Sequence, residues 1–182
     1  MKYSLLFYYF SFLFLMLSVQ QTYSQKSLIE TTGDVFLVTI PTVTFGTTLI
    51  LGDKKGATQF IKSFVLNQVI TLSLKVGINK PRPKNNGDFG FPSGHTSTAF
   101  QGASFIHRRY GFKYSIPAYL AAGFTAFSRI DADKHDGYDV LAGTIIGIGS
   151  TYIFTTPYQK EHLELSYSND RGNRLIGFKF KF

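Results

Sequence analysis

The chain has 182 residues, a formal net charge of +8, 44% hydrophobic residues and 16% aromatic residues, a length that suits one domain. It contains no cysteine, which excludes disulfides and thiolate metal sites. The basic charge does not point to nucleic acid, because the cations sit in small clusters between long apolar runs rather than on one polar face.

The N-terminus has the build of a secretory signal. Lys2 supplies the positive start, Ser4 to Val19 the apolar stretch, and Thr22-Tyr23-Ser24 the small residues before a cut ahead of Gln25. An uncleaved signal anchor is the alternative. Either way, this end is delivered across a membrane. Residues 1–24 are therefore set apart from a helical domain over 25–160 and a tail over 161–182.

Five apolar segments follow: Val35–Leu51, Ala57–Ile78, a short core at Ser97–Ile106 that extends toward His95 and His107, Tyr114–Phe127 and Val140–Thr156. Several approach the roughly 20 residues that cross a bilayer core. Lys62, Asn67 and Gln68 interrupt the second, and the mean hydropathy of +0.03 is low for a multi-span protein. A soluble bundle with buried helices is therefore the competing reading. Charge placement favours the membrane. Lys54-Lys55 joins the first and second segments, and Arg108-Arg109 with Lys113 joins the third and fourth. Those loops satisfy the positive-inside tendency if they are cytoplasmic. Loops 79–94 and 128–139 then lie on the opposite side. Lys80, Arg82, Lys84 and Arg129 violate the simple count there, and a site for a phosphate dianion gives a reason. Gly143 and Gly147 on the fifth segment, and Ala121, Ala122 and Gly123 on the fourth, allow close helix contact. In the tail, Leu163, Leu165 and Tyr167, then Ile176, Phe178, Phe180 and Phe182, alternate with other residues around Asn169-Asp170-Arg171-Gly172-Asn173, the pattern of a β-hairpin.

Three short stretches fit together as one phosphate-handling site: Lys75-x6-Arg82-Pro83, Pro92-Ser93-Gly94-His95, and Ser128-Arg129-x5-His135-x3-Asp139. A transferring phosphoryl group carries negative charge on its equatorial oxygens, so it needs fixed cations and oriented donors. Arg82 and Arg129 offer planar forks that match two phosphate oxygens, and Lys75 a point charge. Ser93 is placed to cap a helix whose free amides bind phosphate, and Gly94 lets the backbone approach the anion. His95 is placed to protonate a departing oxygen. A carboxylate on one ring nitrogen of His135 fixes the tautomer and leaves the other to attack. Helical spacing pairs His135 with Asp139, but Gly137 argues against a helix through 136–138. Asp139 then starts the last helix, with His135 in the loop folded back on it. Asp131, Asp133 and Asp136 raise a metal-binding alternative for the same loop.

These stretches, filled at every position and in the right order over residues 75–139, resemble the signature of the phosphatidic acid phosphatase type 2 superfamily. Val140-Leu141-Ala142-Gly143 is similar as well. Asp136-Gly137-Tyr138 departs from it, since many relatives have a bulkier segment ending in Ser. The resemblance implies an all-α fold, a bundle of about five to six transmembrane helices, to which the sequence pattern adds a short β-hairpin-like tail. It implies hydrolysis of phosphomonoesters or pyrophosphates through a phosphohistidine, with neither metal nor cofactor. It makes His135 the nucleophile, Asp139 its orienting partner and His95 the general acid. Lys75, Arg82, Ser93, Gly94 and Arg129 bind the phosphoryl group. The expected substrate is a lipid phosphate or pyrophosphate, with membrane lipids as surroundings and no nucleic acid. The expected location is the inner membrane, with the site facing the periplasm. A soluble secreted acid phosphatase of the same superfamily is the alternative, and a vanadate-dependent haloperoxidase a more distant one.

Overall fold

The computed structural model describes residues 27–158 and, as backbone, 163–170 and 173–180. The expected signal segment lies outside the described residues. Within them run five α-helices: α1 (Leu28–Ile50), α2 (Lys54–Ile78), α3 (Gly94–Tyr110), α4 (Phe112–Asp131) and α5 (Gly137–Phe154). Their starts follow from local chemistry. Ser27 accepts from the Glu30 amide, Asp53 from Gly56, and Ser93 from Thr96. Asp136 and Asp139 form a reciprocal capping box on α5. Asn79 ends α2 in the left-handed conformation at φ 43°, and Gly111, at φ 110°, makes the turn between α3 and α4. In the tail, β1 (Leu163–Asp170) pairs antiparallel with β2 (Asn173–Phe180), Leu163 opposite Phe180 and Asp170 opposite Asn173.

The helices are longer than the apolar runs predict, because polar caps and motif residues complete their ends. α1 starts at Leu28 rather than Val35, and α4 continues past Phe127 to take in Ser128 and Arg129, which the sequence reading placed in a loop. α3 is the central helix and packs against the other four. Its buried residues are small or polar: Ser97, Ala99, Gly102, Ala103 and Ser104 have essentially no exposed surface. α5 lies directly on its backbone. A Cβ on Gly143 or Gly147 would overlap the Ser93 or Ser97 carbonyl, so only glycine admits this approach. Gly123, by contrast, faces open space.

Hydrogen bonds join the helices across the interior. Gln101 donates to Ser63 at 2.8 Å, Ser104 to Thr151 at 2.8 Å and Gln68 to Thr98 at 2.9 Å, and Thr71 meets Ser97 at 3.0 Å. The apolar side chains point the other way. Val35, Val38, Val43 and Leu49 of α1, and Ile61, Val65, Val69 and Leu72 of α2, are all more than half exposed. A polar, small-residue interior inside an apolar shell suits lipid rather than water. Among the described residues, α1 and α2 are long and apolar enough to cross a bilayer. The expected five to six such helices therefore reduce to two by this measure. α3 does not need an apolar composition, since protein surrounds it.

Candidate active site

The chain direction alternates from helix to helix. The starts of α1, α3 and α5 and the ends of α2 and α4 therefore meet at one end of the bundle. Loop 79–92 closes that end. It folds back on itself through Arg82 N–H to the Gly87 carbonyl at 2.8 Å and Gly90 N–H to the Lys80 carbonyl at 2.6 Å. A Cβ on Gly90 would sit 3.2 Å from both the Lys80 and Pro81 carbonyl oxygens, so the tight return favours glycine. Two carbonyls of this return then hold side chains of the site. Lys75 Nζ donates to the Phe89 carbonyl at 2.7 Å, and His135 Nδ1 to the Gly90 carbonyl at 2.6 Å.

The second bond decides the state of His135. A carbonyl can only accept, so the ring proton is on Nδ1 and Nε2 carries the lone pair. The ring is only 5% exposed. Burial pushes its pKa from 6.5 down to about 4; the Gly90 carbonyl and Asp139 oppose that shift, while Lys75 and Arg82 add to it. At neutral pH the imidazole is an uncharged base.

Asp139 is fully buried in the first turn of α5, and its Oδ2 lies 3.6 Å from His135 Nδ1, beyond hydrogen-bond length. The group expected to orient His135 therefore acts on it through charge, and the main-chain carbonyl makes the bond. Asp139 itself accepts from Lys80 Nζ at 2.7 Å and from the Asp136 amide at 3.0 Å. Lys80 also binds Asp136 at 2.5 Å. Burial works against the Lys80 charge, but these two carboxylates outweigh it and raise its pKa. Lys84 pairs with Asp133 at 2.6 Å. Three of the four cations that break the positive-inside count, Lys80, Lys84 and Arg129, are thus paired with acids, the last with Asp34. Lys80 and Lys84 engage two of the three acids of the metal alternative, Asp136 and Asp133, and no described group of three or more His, Asp or Glu residues could hold a metal ion.

Ser93 and Gly94 open α3 on this end. Ser93 is buried, its N–H donates to the Asp139 carbonyl at 2.9 Å, and its Oγ accepts from Thr96 Oγ1 at 2.9 Å. Its role here is a cap with one hydroxyl proton left to give. A Cβ on Gly94 would meet Thr71 at 3.7 Å, an ordinary contact. Arg82 is half-buried, and its buried Nε has no partner among the described residues, which leaves a donor for an anion. Arg129 is 3% exposed, and α1 holds it: Nη1 donates to Asp34 Oδ1 at 2.8 Å and Nη2 to the Glu30 carbonyl at 2.7 Å. Its Nε donates to Ser128 at 3.1 Å. His95 Nε2 lies 3.1 Å from the same Asp34 oxygen.

All eight residues picked from the sequence therefore lie at this end of the bundle. Three contributors were missed. Lys80 and Asp34 are charged residues beside apolar runs, a signal the sequence displays. The Gly90 carbonyl has no side chain to read.

The model of the PAP2 superfamily matches residues 56–162, more than half of the chain. The chain belongs to the PAP2 superfamily. Among curated PAP2 relatives, a lipid A 4'-phosphatase of Helicobacter pylori is 31% identical over 170 residues, covering 85% of each chain. A lipid A 1-phosphatase of Porphyromonas gingivalis is 40% identical over 77 residues, 41% of this chain and 17% of that one. Among solved structures, the crystal structure of Aquifex aeolicus LpxE superposes with a TM-score of 0.54 at 27% identity, covering 66% of this chain and 83% of the other. The PAP2 match begins after α1, so Glu30 and Asp34 lie outside it.

Proposed function

We propose that this chain is a membrane-embedded phosphatase that removes a phosphoryl group from a lipid through a phosphohistidine on His135. The chain is a phosphatase of the PAP2 superfamily, and its substrate class is lipid phosphate. The observation that carries the covalent step is the His135 ring itself, locked by Gly90 and buried, with an unprotonated Nε2. In that step the Nε2 lone pair forms a bond to phosphorus as the bond from phosphorus to the leaving oxygen breaks. His95 gives that oxygen its proton. Lys75, Arg82 and Arg129 balance the charge on the equatorial oxygens, with the Ser93 hydroxyl and the Gly94 end of α3 beside them. A water then attacks phosphorus, His95 takes its proton, and the phosphorus–nitrogen bond breaks to restore His135. Asp139 stabilises the positive ring of the intermediate. No metal or cofactor takes part.

The lipid reading is supported by an apolar cleft of about 780 Å³ between α1 and α2, lined by Leu37, Pro41, Phe45, Phe60 and Phe64. Those helices also carry Asp34 and Lys75 at the end of the bundle where the site lies. By the names of its relatives we infer a lipid A phosphate, with other lipid monophosphates and pyrophosphates as the wider class. The test is phosphate release by detergent-purified protein from lipid A, phosphatidic acid, a polyprenyl pyrophosphate and a soluble aryl phosphate. His95→Ala should lose about 10²–10⁴-fold on the lipid esters, whose leaving groups are poor, and much less on the activated aryl ester. Equal losses on both would count against the acid role. Turnover of the aryl ester alone would sink the lipid reading.

We further infer that residues 1–24 are a signal peptide or anchor, 25–160 the phosphatase domain and 161–182 an appended tail. The site then faces the periplasm from the inner membrane, with the turns at 51–53 and at Gly111 cytoplasmic. The chain has no native cysteine, so Gly87→Cys, Lys55→Cys and Lys113→Cys can each be labelled alone. An impermeant thiol reagent on intact spheroplasts should mark position 87 and spare 55 and 113. Labelling at all three without lysis would replace the spanning arrangement by an exported soluble enzyme.

A further inference from the structure

One oxygen of Asp34 serves two groups of the site, and they come from two different helices. Oδ1 accepts from Arg129 Nη1 of α4 at 2.8 Å and lies 3.1 Å from His95 Nε2 of α3. The cradle is built for this contact. Glu30 and Asp34 are one helical turn apart on α1, and the Glu30 carbonyl takes the other arm of the guanidinium. Gly33 lies between them, where any Cβ would overlap Ser128 and crowd Arg129. Arg129 has five N–H donors, of which Asp34, Glu30 and Ser128 use three. One hydrogen on each of Nη1 and Nη2 is left for a phosphoryl group. α1 thus fixes the fork without using it up. The carboxylate also faces the imidazole assigned to protonate the leaving oxygen. A negative charge at this distance holds the Nε2 proton and favours the fully protonated ring, whose Nδ1–H is then the proton left to give.

We infer that Asp34 is a positioning residue for the reaction: it ties His95 to Arg129 and keeps the imidazole in its proton-donating form. This rests on the acid role of His95 proposed above. The effect of Asp34 should therefore follow the leaving group. Asp34→Asn keeps an acceptor oxygen for Arg129 but removes the charge that His95 faces. Its loss should be about tenfold or more greater on the lipid ester than on the activated aryl phosphate. In a His95→Ala background, Asp34→Asn should add no further selectivity, because the group it acts through is gone.

The experiment is kcat and KM on both esters for wild type, Asp34→Asn, His95→Ala and the double variant, with the melting midpoint in detergent recorded for each. Asp34→Ser carries the same comparison if Asp34→Asn does not purify folded. Leaving-group selectivity in the single variant that vanishes in the double supports the inference. A loss equal on both esters shows scaffolding alone and overturns it. Selectivity that persists undiminished without His95 overturns it too. If His95→Ala itself shows no selectivity, the acid assignment fails first, and this inference falls with it.

Discussion

His135→Ala should reduce phosphate release by on the order of 10⁴-fold or more on every ester, aryl phosphate included. No other described side chain is an imidazole held to a carbonyl by one nitrogen, with the other left unprotonated, beside Lys75 and Arg82. An activated leaving group rescues a missing acid but cannot rescue a missing nucleophile, so this variant and His95→Ala should separate on the aryl ester. The same geometry sets the acid limb of the wild-type pH profile. Protonation removes the Nε2 lone pair, and burial pushes the ring down to about 4. The rate on the aryl ester should stay level as pH falls from neutrality and then drop as it passes about 4. A drop centred near 6.5 would show a solvent-exposed ring and contradict the buried arrangement. Alkaline detergent-quench trapping of a base-stable, acid-labile phosphoenzyme in wild type, absent in His135→Ala, checks the covalent step directly.

Arg109→Ala should destabilise the protein by about 3–5 kcal/mol, a large share of the roughly 5–15 kcal/mol that holds a domain folded. The pair it breaks lies at the end of the bundle away from the phosphate site. Arg109 is 2% exposed; its Nε and Nη2 donate to the two oxygens of Asp53 at 2.7 and 2.6 Å, and Nη1 donates to the Thr156 carbonyl at 2.9 Å. Asp53 also caps α2 through Gly56 and accepts from Tyr110 Oη at 3.0 Å. Truncating the arginine leaves a buried carboxylate facing an apolar gap. The expected result is a melting midpoint in detergent lowered by many degrees. Adding Asp53→Asn should recover part of the loss, because it removes the orphaned charge while keeping a side-chain acceptor for the cap. A midpoint unchanged by Arg109→Ala would mean that the pair contributes little beyond its own desolvation cost.

The residues that meet at the candidate site were legible because a phosphate site needs cations, imidazoles and a helix start in a fixed order, and side chains announce all of these. Gly137 argued against a helix through the His135–Asp139 pair, and the structure places His135 in the loop with Asp139 in the first turn of α5. What stayed hidden falls into two kinds. Gly90 acts through a carbonyl that every residue possesses, so its place against His135 depends on how loop 79–92 returns on itself. Asp34 is a lone acid at the head of an apolar run, far along the chain from its two partners, and only the packing of α1 against α4 and α3 gives it meaning. The central helix was underread for a related reason. Only Ser97–Ile106 reads as apolar, because a helix surrounded by four others gains more from small and hydrogen-bonding residues than from large apolar ones.

The polar interior of α3 ties catalysis to assembly. Left by itself in lipid, this helix would turn Ser97, Gln101 and Ser104 to hydrocarbon without their partners on the neighbouring helices. Their partners, Ser63 and Thr71 on one side and Thr151 on the other, come from helices made both before and after it. Ser93, Gly94 and His95 at its head therefore reach their working positions only once α5 has docked. The last helix to be synthesised also brings in Asp139, next to His135. A chain folded only through α4 holds the cations of the candidate site but lacks Asp139 and its carbonyl bond to Ser93, so the site is complete only when the bundle closes.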